Sequence, residues 1–169
     1  MDPMTTLPPS NSEEATELRS VQERAIPPIL GSESDVIIAA PTAGGKTEAA
    51  FLPLISQLVD DPPKGPGFQI LYVSPLKALI NDQFSRLDAL CADLEIPVHR
   101  WHGDVSASKK TQARKNPSGI LLITPESLEA LFVLRGLELP GLFAGLQAIV
   151  IDELHAFIGP ERGIHLSSL

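Results

Sequence analysis

A chain of 169 residues has the length of one domain, with room for a substantial core but not for two large lobes. Its 43% hydrophobic and 20% charged residues exclude a disordered or fibrous chain, and no apolar run approaches the roughly 20 residues that cross a bilayer. The net charge of −8 argues against a protein that coats nucleic acid by neutralising phosphates, while allowing one that grips a strand through backbone amides and a few side chains. The start, MDPMTTLPPSNSEEATEL, lacks the basic end and apolar centre of a signal peptide. The single cysteine, Cys91, permits no internal disulfide and fits the reducing cytoplasm, which is the compartment expected.

Residues 1–17 carry prolines and the acids Glu13, Glu14 and Glu17 without an apolar period, so they are expected to form a flexible leader to a domain over 18–169. From Glu17 to about Leu30, the apolar residues Leu18, Val21 and Ala25 fall at helical spacing. Pro27 and Pro28 are expected to end that helix or restart it. A rhythm of short apolar runs and amphipathic stretches follows. DVIIAA (35–40) precedes a Gly-rich turn and the helical KTEAAFLPLISQLV. The exposed connector DDPPKGPG (60–67) leads to FQILYVSP (68–75) and the helical LKALINDQFSRLDALCADL. IPVHRWHG (96–103), GILLITP (119–125) and AIVIDE (148–153) complete the series, with LPGLFAGLQ as a short helix before the last run. Buried β-branched runs alternating with helices predict a mostly parallel sheet with helices on both faces, an α/β fold. Ligands of such sheets sit at the carboxyl ends of the strands.

Two segments at those ends carry chemistry. Ala40–Thr47 (APTAGGKT) has phosphate-loop spacing, with Ala40 where the general pattern has its first glycine. Gly44 and Gly45 let the backbone turn tightly and aim N–H groups at phosphate oxygens, and the next helix offers its positive end to the same anion. Lys46 supplies a cation for the β- and γ-phosphates, and the Thr47 hydroxyl can ligate Mg²⁺. A turn of small residues with a solvated lysine would look alike as a bare pattern; the strand–loop–helix setting favours the phosphate loop. The second segment, Asp152-Glu153-Leu154-His155, follows AIVI. A carboxylate there can hold Mg²⁺ through its water shell, and the adjacent glutamate can polarise an attacking water. His155, at the start of the next helix, can sense the nucleotide state. Solvated acids after a core strand are the competing reading, and the phosphate loop tips the balance toward function.

These residues resemble the DExH form of the Walker B motif in superfamily 2 helicases, and further positions agree in order. Gln22, in VQERAIP, looks like the glutamine that reads adenine. Ser74–Leu79 (SPLKAL) is similar to motif Ia, Thr124–Ser127 (TPES) to motif Ib, and His102-Gly103-Asp104 to the glycine-containing motif between them. SPLKALINDQ, WHGD, TPESLEAL and IDELHAFIGPERG together look most like the Lhr-type (large helicase-related) branch. The resemblance covers about residues 18–166 and implies a RecA-like P-loop NTPase domain lacking its last strand or strands. It implies ATP and Mg²⁺ as cofactors, with Thr42, Ala43, Gly44, Gly45, Lys46, Thr47 and Glu48 around the nucleotide. Pro75, Lys77, Gly103, Asp104, Thr124, Pro125 and Glu126 are the residues implied on a DNA or RNA single strand. The implied activity is ATP hydrolysis coupled to unwinding or translocation of nucleic acid. Ala43 stands where the family often has glycine, which a side chain tolerates only away from positive φ. The Ser-Ala-Thr motif and the second RecA-like domain, which supplies arginine fingers, are absent. The chain alone is therefore expected to bind nucleotide but to hydrolyse it slowly. A P-loop ATPase of another kind, or a silent nucleotide-binding module, are the other classes that these residues admit.

The remaining residues carry blander expectations. Lys109, Lys110, Arg114 and Lys115 read first as a solvated helix face and second as an attractor of nucleic acid. Trp101 is expected in the core or partly buried, and Cys91 as core filler beside Leu87, Leu90 and Leu94. His99 and His102 lack partners at metal-ligand spacing, so no zinc site is expected.

Overall fold

The computed structural model describes residues 20–31, 34–41 and 45–157, and it divides into two compact units, Met1–Pro53 and Leu54–Leu169. The expected leader, and the boundary that closes it, lie outside the described residues. Among the described residues, no helix is long and apolar enough to cross a membrane.

In the first unit, helix α1 spans Ser20–Gly31 and buries Gln22 and Ala25. The expected break at Pro27 and Pro28 does not occur, and both prolines lie within the helix. Each proline removes one N–H and so frees a carbonyl four residues earlier, here that of Glu23 or Arg24. The two prolines and both of those residues are exposed, so the freed carbonyls are open to water. A second expectation also fails. Residues 35–40 form no strand, and Ile37 is 83% exposed. A strand exists through pairing with a neighbour, and no ladder partner for this run is found among the described residues. Apolar β-branched composition by itself does not build a strand. Helix α2 spans Lys46–Asp60 as its pattern predicts, and the division between the units falls inside it, after Pro53.

The second unit is built on four parallel strands: β1 (Ile70–Val73), β2 (Val98–Trp101), β3 (Ile120–Ile123) and β4 (Ala148–Ile151). Their order is β2-β3-β1-β4. The central β1 and β3, ILYV and ILLI, are buried at every position, as continuous apolar runs in a helix-covered parallel sheet should be. Helices α3 (Lys77–Cys91), α4 (Ala107–Lys115), α5 (Pro125–Arg135) and the short α6 (Leu139–Leu142) fill the connections. All four strands are four residues long and in step. Ile70 pairs with Ile120 and Ala148, and Val98 with Ile120. At the other end, Val73 pairs with Ile123 and Ile151, and Trp101 with Ile123.

Because side chains alternate along a strand, Leu71, Val73, Leu121, Ile123 and Trp101 share one face. There they join Ala113 of α4, Leu128 and Leu131 of α5, Leu142 of α6 and Phe157 in one core. The opposite face carries Ile70, Tyr72, Ile120 and Leu122, all at most 1% exposed. Helix α3 covers it beside β2 and β3, burying Ile80, Leu87 and Cys91. Cys91 and Trp101 are therefore core residues, whereas Leu90 and Leu94 stand more than 40% exposed.

The amino end of the sheet is clamped by backbone geometry. Gly119 has φ +68°, a conformation that favours glycine, and its N–H donates to the Gln69 side-chain oxygen. The Gln69 amide in turn donates to the Gly67 carbonyl. Gly119's own carbonyl accepts from the Gln69 N–H at 2.8 Å, and Ile120 N–H donates to Pro97 at 2.9 Å. Gln69 is 2% exposed and spends both ends of its amide here, as a buried polar group must.

Candidate nucleotide site and strand-tip front

Gly45, Lys46 and Thr47 belong to the first unit; Thr42, Ala43 and Gly44 lie outside the described residues. Gly45 has φ +77°, so glycine is required at the last step before the helix. Helix α2 then opens with Ala49 N–H on the Gly45 carbonyl at 2.9 Å. The Lys46 ammonium donates to the carbonyls of Ala40 (2.8 Å) and Pro41 (3.2 Å). Thr47 and Glu48 follow in the first turn, both half-buried. The helix start, a positive-φ glycine and a lysine beside them are parts an anion-binding turn requires. Gln22 stands on the buried side of α1 in the same unit.

In the second unit, the common register brings four of the candidate segments to one end of the sheet. Ser74, His102, Thr124 and Asp152 each immediately follow the last residue of a strand. Three backbone bonds carry the ladder one step beyond the strands: Ser74 N–H to Ile123 (3.2 Å), Thr124 N–H to Trp101 (3.4 Å) and Asp152 N–H to Val73 (2.9 Å).

At the tip of β4 the acidic pair is held closely. Asp152 Oδ1 accepts the Glu153 N–H at 2.9 Å, and Oδ2 accepts the Tyr72 hydroxyl at 2.5 Å. Burial first, then the hydrogen bond to Asp152, pushes the Tyr72 phenol far above its ordinary range, so it stays a donor. Glu153 has φ +51°, uncommon for a residue with a side chain, and its Oε2 lies 3.2 Å from His155 Nδ1. His155 is exposed within a single 3₁₀ turn, Leu154–Phe157, in place of the helix expected there. The donor set suits a hard cation: a half-buried carboxylate whose two oxygens each accept one hydrogen bond and keep further lone pairs.

The tips of β1, β2 and β3 carry the residues expected on a nucleic-acid strand. Lys77, in the first turn of α3, meets Asp104 at 3.0 Å, both side chains being more than half exposed. The hydrogen bond from Lys77 leads the causes holding the Asp104 carboxyl below its usual range. Gly103 is exposed beside them, and a Cβ there would meet the Lys77 ammonium at 3.3 Å. Pro75 is half-buried and Glu126 exposed, but Thr124 and Pro125 are buried. Thr124 Oγ1 bonds Ser127 Oγ at 3.0 Å, so that hydroxyl is engaged within the turn. The basic cluster is likewise partly committed: Lys110 lies 6.0 Å from the centre of the Trp101 ring, and Arg114 pairs with Glu138 at 3.4 Å.

Two contributors were not among the expected site residues. Asn81 Oδ1 accepts from Arg100 (2.8 Å) and from His102 Nε2 (3.1 Å), while Arg100 also stacks over Phe84 at 4.7 Å. His102 Nδ1 accepts the Asp104 N–H at 3.4 Å, so its neutral Nε2–H form satisfies both ring nitrogens. Burial is the leading cause that lowers its pKa, against the opposing pull of Asp104. Tyr72 is the other, lying 80 residues before its partner Asp152.

The family model described as DEAD/DEAH box helicase matches residues 19–169. The chain belongs to that family. Among helicase relatives, it is 33% identical over 147 residues to the ATP-dependent helicase Lhr-Core of Methanothermobacter thermautotrophicus, covering 79% of this chain and 17% of that protein. Its fold resembles the Mycobacterium smegmatis helicase Lhr bound to ssDNA and AMP-PNP, with a TM-score of 0.70, 30% identity, and coverage of 87% of this chain and 20% of the other. The RNA-helicase Prp28 from Chaetomium thermophilum, bound to ADP, gives a TM-score of 0.76 at 25% identity, with 90% and 37% covered. The chain thus spans about a sixth of the Lhr-Core relative's length.

Proposed function

We propose that this chain is the first, ATP-binding RecA-like lobe of a nucleic-acid-dependent helicase of the Lhr type. The observation that carries the reading is the common front: an all-parallel sheet presents the motif Ia, Ib, glycine-containing and DExH residues at one end, in one register. Chance similarity at one motif would not align four. In this reading, Lys46 and the amides of residues 42–47 take the phosphates, and Gln22 takes adenine. Thr47 and Asp152 are each a residue that would ligate Mg²⁺, and the ion would neutralise charge on the transferred phosphoryl group. Glu153 orients the attacking water, and His155, paired with it, links that event to the strand-binding side. Lys77, Gly103, Asp104 and the turn at Thr124–Glu126 contact a single strand of DNA or RNA, where the backbone N–H groups are the natural phosphate ligands. A second RecA-like lobe completes the cleft in this reading.

The test is calorimetry of ADP and ATP binding with Mg²⁺, wild type beside Lys46→Ala. Binding lost in the variant, with the fold intact by circular dichroism, is the expected result. Equal binding by both proteins would refute the phosphate-loop assignment. A protein extended through the second lobe should then show ATP turnover that rises with single-stranded polynucleotide; no response to DNA or RNA would favour another kind of P-loop ATPase.

A further inference from the structure

Tyr72 belongs to none of the motifs that carry the functional reading, yet its hydroxyl ends on the acid at their centre. It sits on β1 opposite Val150 of β4. Asp152 is two residues beyond Val150 and therefore on the same face of the sheet, so the phenol reaches it as a diagonal cross-strand neighbour. The ring is 1% exposed and locked in the packed face, which leaves the hydroxyl little freedom to go elsewhere. Its Oη donates to Asp152 Oδ2 at 2.5 Å. Oδ1 of the same carboxylate takes the Glu153 N–H, and the Asp152 backbone N–H is bound to Val73.

We infer that Tyr72 is a positioning residue, which fixes the rotation of the Asp152 carboxylate and so holds its remaining lone pairs in one orientation for Mg²⁺. This rests on the nucleotide-site reading above. A carboxylate rotates through a broad, two-fold torsion when nothing holds it. With one oxygen tied to the backbone and the other to a buried phenol, that rotation is spent before the cation arrives, and preorganisation of this kind is what outer-sphere partners of metal ligands provide. A phenol that merely satisfied itself in the core would stabilise the fold equally. It would leave the cation dependence of nucleotide binding unmoved.

The experiment is calorimetry of ADP binding to this chain across a Mg²⁺ series, comparing wild type, Tyr72→Phe, Asp152→Ala and Lys46→Ala. Tyr72→Phe should raise the Mg²⁺ concentration for half-maximal binding by about five-fold, the size of one net hydrogen bond, while Mg²⁺-free ADP binding stays unchanged. Asp152→Ala should remove most of the Mg²⁺ dependence. An unchanged Mg²⁺ midpoint in a folded Tyr72→Phe, with Asp152→Ala impaired, overturns the inference and leaves the nucleotide site standing. Indifference of both Asp152→Ala and Lys46→Ala overturns the site and the inference together. A second readout needs no Tyr72 variant. This chain has one tyrosine, so its ring Cζ gives a single assignable ¹³C resonance at neutral pH. That resonance should shift in Asp152→Asn and again when Mg²⁺ is added to the ADP-bound wild type. A resonance indifferent to both changes overturns the inference.

Discussion

Replacing Gly119 by alanine should cost this protein about 3–6 kcal/mol, a figure assembled from three contributions. The residue lies at φ +68°, where a side chain costs roughly 1–2 kcal/mol. An added Cβ would stand 2.9 Å from the Pro97 carbonyl carbon and far inside contact with its oxygen, both backbone atoms that cannot swing away. That oxygen accepts the Ile120 N–H at 2.9 Å, so relieving the overlap means giving up the bond at the foot of β3, about 1 kcal/mol. The Gln69 side chain loses its grip on Gly119 N–H as the turn shifts, leaving a buried amide oxygen unsatisfied for about 1–3 kcal/mol more. Urea unfolding followed by circular dichroism measures the sum, with Gly141→Ala as the control, since a Cβ at Gly141 meets nothing within 4 Å. Gly119→Ala within about 0.5 kcal/mol of wild type would refute the clamp.

Two further outcomes are expected. Asn81→Ala removes the shared acceptor of Arg100 and His102 and should destabilise the second unit by about 1–3 kcal/mol, read by urea unfolding; a neutral result would show that water replaces the amide. Burial leads the causes that hold the pKa values of His99 and His102 below their ordinary value, so the folded state binds these protons less readily than the unfolded chain does. Stability should therefore be full above about pH 6.5 and fall as pH drops below it, until the depressed folded-state values are reached. The decline should be shallower in His102→Gln, and identical slopes in the two proteins would exclude His102 as a source.

The sheet was legible because ILYV and ILLI are short, apolar runs begun or ended by β-branched residues, as a strand covered on both faces requires. VHRW, which carries a histidine and an arginine, was readable as a strand from its place in the alternation and AIVI from its apolar run, and both prove to be edges of the sheet among the described residues. DVIIAA failed by the same rule. Composition says that a run suits a strand, whereas pairing depends on a neighbour that local sequence does not specify. The prolines of α1 misled because the penalty in a helix depends on whether the freed carbonyls see water, a property of the fold. At the site, glycines, lysine and paired acids announce themselves by type and spacing. Tyr72 and Asn81 do not, because a tyrosine in a core strand and an asparagine in a helix are ordinary until the partner 80 or 21 residues away is known.

The equal length of the four strands has an implication for how the sequence tolerates change. Each functional segment begins one residue past a four-residue run, and all four runs start level, so the strands act as rulers of the same length. Insertions or deletions in the connectors, such as the exposed stretch at 60–66, alter only the route between rulers. One residue gained or lost inside a strand would move a single tip by about 3.3 Å and turn its side chains to the opposite face. Length variation should therefore gather in the connectors and be all but absent from residues 70–73, 98–101, 120–123 and 148–151.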